Sequence, residues 1–278
     1  TQYLIYGDPT PAFNGTPTGN PGWTFTGWSP AVAPTVTGDA TYVAQWEPSA
    51  TTSYKVEHYT QNLDGTYKLE ETENLTGKTG VYVTATPKTY AGFTHNPNAA
   101  GTIAGGTILA DGSLVLKLYY DRNSYSVTYE YTGTVPAGAS ALPAKAEYKY
   151  GETVTVAAAA TAPGYTFSGW DRQGTFTMPA EDVVIKGSFT ANTDTPYTVK
   201  HYTENLDGTY TLADVENLTG TTDTTVQATP KSYTGFTFDN TVAGTVESGT
   251  IAGDGSLELI LYYTRNTYTV TYKYDGTV

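Results

Sequence analysis

No cysteine occurs among the 278 residues, which excludes a disulfide framework and any thiolate metal site. Positive charge is also scarce: 14 Lys and Arg stand against 27 Asp and Glu, a formal net charge of −13. Such a surface repels phosphate backbones, so nucleic acid is not an expected partner, and it equally repels the sialic acid and sulfate groups of mucins. No signal peptide, apolar membrane run or lipidation motif is present, so membrane insertion is not expected. The patterns G-x-S-x-G, P-loop and H-E-x-x-H are missing as well. The expectation is a non-enzymatic chain with no catalytic residue, no cofactor and no metal site.

Tyr and Gly are plentiful, at 25 and 29 residues, and Thr accompanies them throughout. Tyr, Thr and Val suit half-buried pleated sheets, while Gly and Asp-Gly pairs suit the turns between strands. Charged residues reach only 15% against 38% hydrophobic, a balance that argues for folded units rather than disorder. The composition is that of a β-rich, polar, extracellular chain.

The segment from Tyr54 to Val135 recurs from Tyr197 to Val278 without insertion or deletion, about 51 of 82 positions being identical. Two kinds of unit alternate. The expected division is a B-type unit at 1–49 lacking its first strand, an A-type unit at 50–123, a B-type unit at 124–192, an A-type unit at 193–266, and the first strand of a further B-type unit at 267–278. The B units share Gly22-Trp23-Thr24-Phe25-Thr26-Gly27-Trp28 and Gly164-Tyr165-Thr166-Phe167-Ser168-Gly169-Trp170. Tyr6-Gly7 aligns with Tyr150-Gly151.

Alternation of period two marks the strands. Tyr54, Val56 and His58 fall on one face; so do Leu114, Leu116, Leu118 and Tyr120, matched by Leu257, Leu259, Leu261 and Tyr263. Tyr125, Val127, Tyr129 and Tyr131 line a further strand, matched by Tyr268, Val270, Tyr272 and Tyr274. Asp64-Gly65, Asp111-Gly112, Asp207-Gly208 and Asp254-Gly255 fit tight type I′ hairpins. Residues 81–85 read as strand or short helix. The fold class expected is mainly β (β-rich α+β): small antiparallel-sheet modules arranged end to end as a rod. Connectors are short, and those entering the A units carry a Pro, which restricts bending.

Individual side chains suggest little chemistry. Trp28 and Trp170 could stack on sugars, but their place after Phe-x-Gly in both B copies favours a packed ring. His58 and His201 are matched, while His95 stands opposite Phe238, so the set lacks the three or four converging ligands of a zinc site. The Asp-Gly carboxylates stand singly, without the alternating oxygens of a calcium loop.

Type A, with Tyr197-Thr198-Val199-Lys200-His201-Tyr202, Asp207-Gly208, Leu218-Thr219-Gly220, Gly235-Phe236 and Tyr262-Tyr263, resembles the MucBP (mucin-binding) repeat of Gram-positive surface proteins. It departs from the common pattern in the extra residues 108–113 before its final strand. Type B, with its Gly-aromatic-Thr-Phe-Ser/Thr-Gly-Trp signature, resembles the Listeria–Bacteroides repeat, also called the internalin B-repeat. The resemblance implies β-grasp-like modules of cell-wall-anchored adhesins, located outside the cell and anchored through a part outside this sequence. It implies a stalk or fibre segment that projects a distal tip, with neighbouring repeats as partners. Two alternatives accompany that reading: a module binding host glycans or mucin, and a filament subunit associating head to tail by strand addition. Stalks of this kind can carry Lys–Asn isopeptide crosslinks beside a buried acid, and Lys88, Asn123 and Glu73 recur as Lys231, Asn266 and Glu216.

Overall fold

In a computed structural model, residues 3–276 are described. The expectations that touch residues 1–2 and 277–278, at the outer limits of the first and last segments, lie outside them. Twenty strands follow one another: β1 (Trp23–Ser29), β2 (Val43–Pro48), β3 (Thr52–Gln61), β4 (Tyr67–Gly77), β5 (Tyr82–Thr84), β6 (Phe93–His95), β7 (Gly105–Thr107), β8 (Val115–Arg122), β9 (Ser124–Tyr131) and β10 (Ala146–Lys149). Then come β11 (Thr153–Thr155), β12 (Tyr165–Trp170), β13 (Thr175–Thr177), β14 (Val183–Ala191), β15 (Thr195–Glu204), β16 (Tyr210–Gly220), β17 (Thr225–Gln227), β18 (Phe236–Phe238), β19 (Ser248–Thr250) and β20 (Glu258–Arg265). Among the described residues there is no helix. The ambiguous stretch 81–85 is strand β5, consistent with its β-branched Val and Thr.

Contacts gather the chain into two units. The first comprises the described residues up to Ser126 with Glu147–Val154 and Thr177–Asp182; the second comprises Val127–Ala146, Thr155–Phe176 and the described residues from Val183 on. Each contains one copy of the A repeat.

In the first unit the A repeat forms a four-stranded sheet in the order β4-β3-β8-β6, beside a small β5-β7 ribbon. The outer pairs are antiparallel, as expected, but the central pair β3-β8 is parallel, with Val56 opposite Leu116, His58 opposite Leu118 and Thr60 opposite Tyr120. The sheet is therefore mixed rather than purely antiparallel, because the chain crosses over between β3 and β8 instead of turning back. Alternation puts Val56, Leu116, Leu118 and Tyr120 at 2% exposure or less. Each such apolar side chain contributes about 1.5–3 kcal/mol of transfer free energy. The outer strand β4 carries Lys68, Glu70, Glu71 and Glu73, charges that discourage edge-to-edge pairing.

Asp-Gly does not act here as a type I′ turn. Asn62 N–H donates to Thr66 O and Gly65 N–H to Asn62 O, while Asp64 keeps a negative φ and Gly65 has φ +87°. That is a three-residue loop closed by a left-handed Gly. Asp111 instead binds the N–H and hydroxyl of Ser113 and redirects the chain from β7 to β8, which lie in different sheets.

The second unit repeats this sheet as β16-β15-β20-β18, with the β17-β19 ribbon beside it. Its core holds Val199, Leu259, Leu261 and Tyr263, packed by Tyr233, Phe236 and Phe238. The same unit contains a B-type arrangement in which β14 pairs parallel with β9 and antiparallel with β12. A bulge between Phe167 and Trp170, where Gly169 has φ +87°, turns Trp170 inward. Residues 3–48 hold only the corresponding β1-β2 pair. Residues 266–275, whose Tyr268, Val270, Tyr272 and Tyr274 match a strand elsewhere, form no strand and leave those side chains exposed. Among the described residues no strand pairs with them.

Candidate functional site

Each A repeat encloses one polar cluster in its otherwise apolar interior. His58 and His201 are 0% exposed. The Lys88 backbone N–H donates to Tyr120 Oη at 2.9 Å, which leaves the phenol proton for His58 Nδ1, also at 2.9 Å. Nδ1 is thus the acceptor and Nε2–H the donor, at 2.7 Å to Glu73 Oε1. The second copy repeats every link: Lys231 N–H to Tyr263 Oη at 2.8 Å, Tyr263 Oη to His201 Nδ1 at 2.8 Å, and His201 Nε2 to Glu216 Oε1 at 2.8 Å. A bulge beside the histidine, between His58 and Tyr59 and again between His201 and Tyr202, shifts the register with the neighbouring strand that carries the acidic residues.

Charge surrounds each cluster on its open side. Lys88 Nζ lies 2.6 Å from Glu71 and 3.3 Å from Glu73, and Tyr90 Oη donates to Glu71 at 2.9 Å. The His58 hydrogen bond first, and Lys88 after it, hold the Glu73 carboxyl below the ordinary range against partial desolvation. Lys88 and then Tyr90 do the same for Glu71, while Glu71 raises Lys88. Burial pushes Tyr120 and Tyr263 upward. A histidine sealed from solvent and bonded at both nitrogens has no free lone pair and no room for a substrate. The cluster can pin three strands together; it offers no reacting atom. Among the described residues no group of acidic and His side chains could hold a metal.

The second recurrent feature lies where a B segment meets an A repeat within one unit. Thr52 and Thr79 share a hydrogen bond at 2.7 Å, and Thr79 Oγ1 donates to Gly22 O at 2.9 Å. Thr79 N–H binds Ser49 O and Ser49 N–H binds Gly22 O. The counterparts are Thr195 with Thr222 at 2.6 Å, Thr222 Oγ1 to Gly164 O at 2.8 Å, Thr222 N–H to Asn192 O and Asn192 N–H to Gly164 O. The backbones approach so closely that a Cβ at Gly164 would stand 2.4 Å from Gly253 Cα. Asp223, at φ 62° where the first copy has Gly80, takes the Tyr165 hydroxyl.

A third joint, in the first unit, runs from the A repeat to the segment around Tyr150. Tyr150 N–H donates to Asn123 O, Asn123 N–H to Gly92 O, and Arg122 Nη1 to Tyr150 O. Arg122 lies 4.9 Å above Phe93, whose ring meets Tyr150 edge-on at 5.6 Å.

Of the residues singled out from sequence, Trp170 is 5% exposed, donates Nε1–H to Ala158 O and stacks on Tyr131 at 5.7 Å, so it is core and offers sugars no face. Trp28 is half-buried, 5.0 Å from Phe13 and 5.4 Å from Phe25. The crosslink triads are not assembled. Lys88 and Glu73 meet, as do Lys231 and Glu216 at 3.5 Å, but Asn123 binds Thr94 and Asn266 binds Thr237, at the far end of the sheet. Sequence reading missed Glu71 and Tyr90 and their second-copy counterparts, and placed Tyr120 and Tyr263 on a strand face without their bond to the histidine; recurrence of these residues beside a repeated His was the available signal. An open groove of about 320 Å³ is lined by Thr18, Gly19, Asn20, Trp23 and Trp46, with Trp23 exposed. No helix among the described residues is long and apolar enough to cross a membrane.

Residues 125–193 match the family model of the divergent InlB B-repeat domain. No curated protein matches the chain. Among solved structures, one match is to Streptococcal High Identity Repeats in Tandem (SHIRT) domains 3-4 from a cell surface protein, 17% identical, covering 49% of this chain and 96% of that one at a TM-score of 0.20. Another is to Mub-RV, 11% identical, covering 78% of this chain and 100% of that one at a TM-score of 0.18. The family so matched is a repeat domain. This chain is a tandem β-repeat protein whose segment 125–193 is similar to the divergent InlB B-repeat domain.

Proposed function

We propose that the chain is a structural stalk segment of a bacterial cell-surface adhesin or extracellular fibre, built of alternating B- and A-type modules with the boundaries expected from the repeat. The observation that carries this reading is the recurrent joint at Gly22-Thr52-Thr79 and Gly164-Thr195-Thr222. Successive modules meet there through buried hydroxyls and backbone carbonyls rather than through a flexible linker, which suits a part that transmits load. The sealed His–Tyr–Glu clusters support it too, since they brace the sheet and leave no cleft for chemistry. Small-angle X-ray scattering tests the proposal. Four modules in line give a maximum dimension of about 120 Å, and a profile of one compact globule would overturn it.

A second reading is a module that binds neutral host glycans. The groove at Trp23 and Trp46, with Thr18 and Asn20 beside the rings, favours it, because an exposed aromatic flanked by hydroxyl and amide groups can stack on a sugar. The charge of −13 disfavours sialylated or sulfated mucin. Binding on a glycan array that survives high salt and disappears in Trp23→Ala would establish it.

A further inference from the structure

The outer strand of the second A sheet has one side free. β16 has a single neighbour, β15, and among the described residues no other backbone group bonds to it. Thr198 N–H donates to Leu257 O, on the β20 side of β15. In an antiparallel pair, opposed residues alternately exchange both backbone bonds and none. Thr198 therefore exchanges none with Asn217, which stands opposite it, so the N–H and C=O of Asn217 point out of the sheet edge. The same alternation turns Val215 and Thr219 outward. One of these outward groups has a partner: Val215 N–H donates to Asp214 Oδ1 at 2.8 Å. Asn217 and Thr219 are exposed, and Val215 is 38% exposed.

The first copy has the same edge in a guarded form. Glu-Asn-Leu-Thr-Gly recurs at 73–77 and 216–220, but β4 carries Lys68, Glu70 and Thr72 where β16 has Thr211, Ala213 and Val215. Charged side chains keep an open edge from pairing, whereas Val suits a paired strand. Lys68 and Glu70 pair with each other at 3.0 Å and stay exposed along β4. A strand added to β16 must match it in length. Among the described residues no sheet edge other than β4 and β16 exceeds seven residues. The long, unguarded edge available on a second copy is thus β16 itself.

We propose that β16 pairs antiparallel with β16 of a second copy of this chain, across a twofold axis at Asn217. Side-chain charge and backbone direction together select that register. It sets Asn217 opposite Asn217 of the partner, Val215 opposite Thr219 and Glu216 opposite Leu218. All the outward residues then exchange both of their backbone bonds, the Thr219 carbonyl replacing Asp214 Oδ1 as acceptor for Val215 N–H. Centring on Glu216 would set two carboxylates against each other, which is unfavourable across strands. Centring on Leu218 would put Val215 opposite Thr221, past the end of the strand. The surface is the same on both partners, so the contact closes at two copies. Each chain carries a net charge of −13, and the dimer fraction accordingly rises with salt. The pairing does not rest on the stalk reading; it adds a lateral partner to it.

The absence of native cysteine makes the register testable with single substitutions. Asn217→Cys brings two thiols onto directly opposed residues, with Cα atoms about 5.5 Å apart and within disulfide reach. Val215→Cys puts its thiols roughly 14 Å apart along the strands. Under mild oxidation Asn217→Cys forms a covalent dimer at least about tenfold faster than Val215→Cys. Asn217→Lys and Asn217→Glu are each monomeric when alone, because like charges then oppose, and a one-to-one mixture recovers the dimer. Residue 217 is exposed and its backbone groups face away from β15, so these variants keep the circular dichroism of the unaltered chain. Sedimentation of the unaltered chain shows mass rising with concentration and levelling at two copies. A strict monomer up to millimolar concentration in high salt, mass growing past two copies, equal crosslinking of the two cysteine variants, or no recovery on mixing would overturn the proposal. An extended scattering profile from such a monomer would leave the stalk reading in place, whereas a globular one would remove the stalk reading separately.

Discussion

Tyr90 donates a 2.9 Å hydrogen bond to Glu71, while the matched Tyr233 finds no hydrogen-bond partner beside Asp214 although its hydroxyl is buried. The carboxylate in the second copy is one methylene shorter and is taken by Lys231 and by Val215 N–H. Asp214→Glu is therefore expected to stabilise the second repeat by about 1 kcal/mol, the usual net gain from satisfying a buried hydroxyl. Glu71→Asp should destabilise the first repeat by a similar amount. Urea midpoints of the two variants, measured against the unaltered chain, check both; equal midpoints would show that Tyr233 is already satisfied by water.

His95 presents a similar imbalance. Its Nε2 is buried without a partner, and its ring lies 5.4 Å from Tyr120, whereas the second copy puts Phe238 at 5.8 Å from Tyr263. His95→Phe should raise stability by about 1 kcal/mol by removing an unsatisfied polar atom while keeping the ring contact. A loss of stability would mean that the imidazole is bonded in solution.

How much of this was visible in the residues themselves depends on the range over which the determining contact acts. The inward faces of β8 and β20 follow from period-two alternation, which is local, and Leu116, Leu118, Leu259 and Leu261 are all buried. The parallel pairing of β3 with β8 is not local; it depends on where the chain returns after the β5–β7 excursion. The same holds for the cluster. His58 could be expected on a hydrogen-bonded face, but its partner Tyr120 stands 62 residues away, and Tyr120 also reads as an ordinary core aromatic. The Lys88–Asn123–Glu73 set shows the converse: Lys88 and Glu73 meet, while Asn123 is bonded to Thr94. Recurrence identified three repeated residues, but it carries no distance, and Asn123 serves the joint to Tyr150 instead.

Replacing His58 by Phe should cost more than a typical core substitution. It removes the acceptor for the Tyr120 proton and the donor to Glu73 Oε1, leaving a buried phenol O–H without an acceptor and a partly buried carboxylate oxygen without its donor, although Lys88 still contacts both residues. Each such group costs about 1–3 kcal/mol. A double-mutant cycle with Glu73→Gln should show coupling of about 0.5–3 kcal/mol; strict additivity would argue against the network.

Stability should form a plateau in pH. Glu71, Glu73 and Asp214 have folded pKa values below their unfolded ones, so their stabilisation is complete above the unfolded value of about 4.3 or 3.9 and is lost as pH falls through the folded value. Lys88 and Lys231 are raised, so their contribution is complete below about 10.4 and is lost as pH rises through the folded value. Denaturant midpoints should thus be flat from about pH 6 to about pH 9 and fall on both sides. Added salt should weaken the acid limb, since these carboxylates are partly exposed and screened. Glu73→Gln should flatten that limb; an unchanged slope would show that the cluster does not contribute to acid sensitivity.

Gly92 and Gly235 offer a controlled comparison of backbone strain and steric contact at one sequence position. Both are left-handed, at φ +79° and +85°, so Ala at either site incurs the same conformational cost of about 1–2 kcal/mol. Only Gly92 faces a neighbour: its added Cβ would stand 2.3 Å from the Tyr150 ring, and that ring is fixed by its edge-on contact with Phe93 and by Arg122. Gly92→Ala should therefore destabilise by at least 1 kcal/mol more than Gly235→Ala, and it should increase hydrogen exchange at Tyr150 N–H, which is bonded to Asn123 O. Gly92→Ala combined with Tyr150→Ala should remove the clash and bring the cost of the alanine back to that seen at Gly235. Equal costs in the two single variants would mean that the joint yields easily, and a yielding joint is incompatible with a load-bearing role.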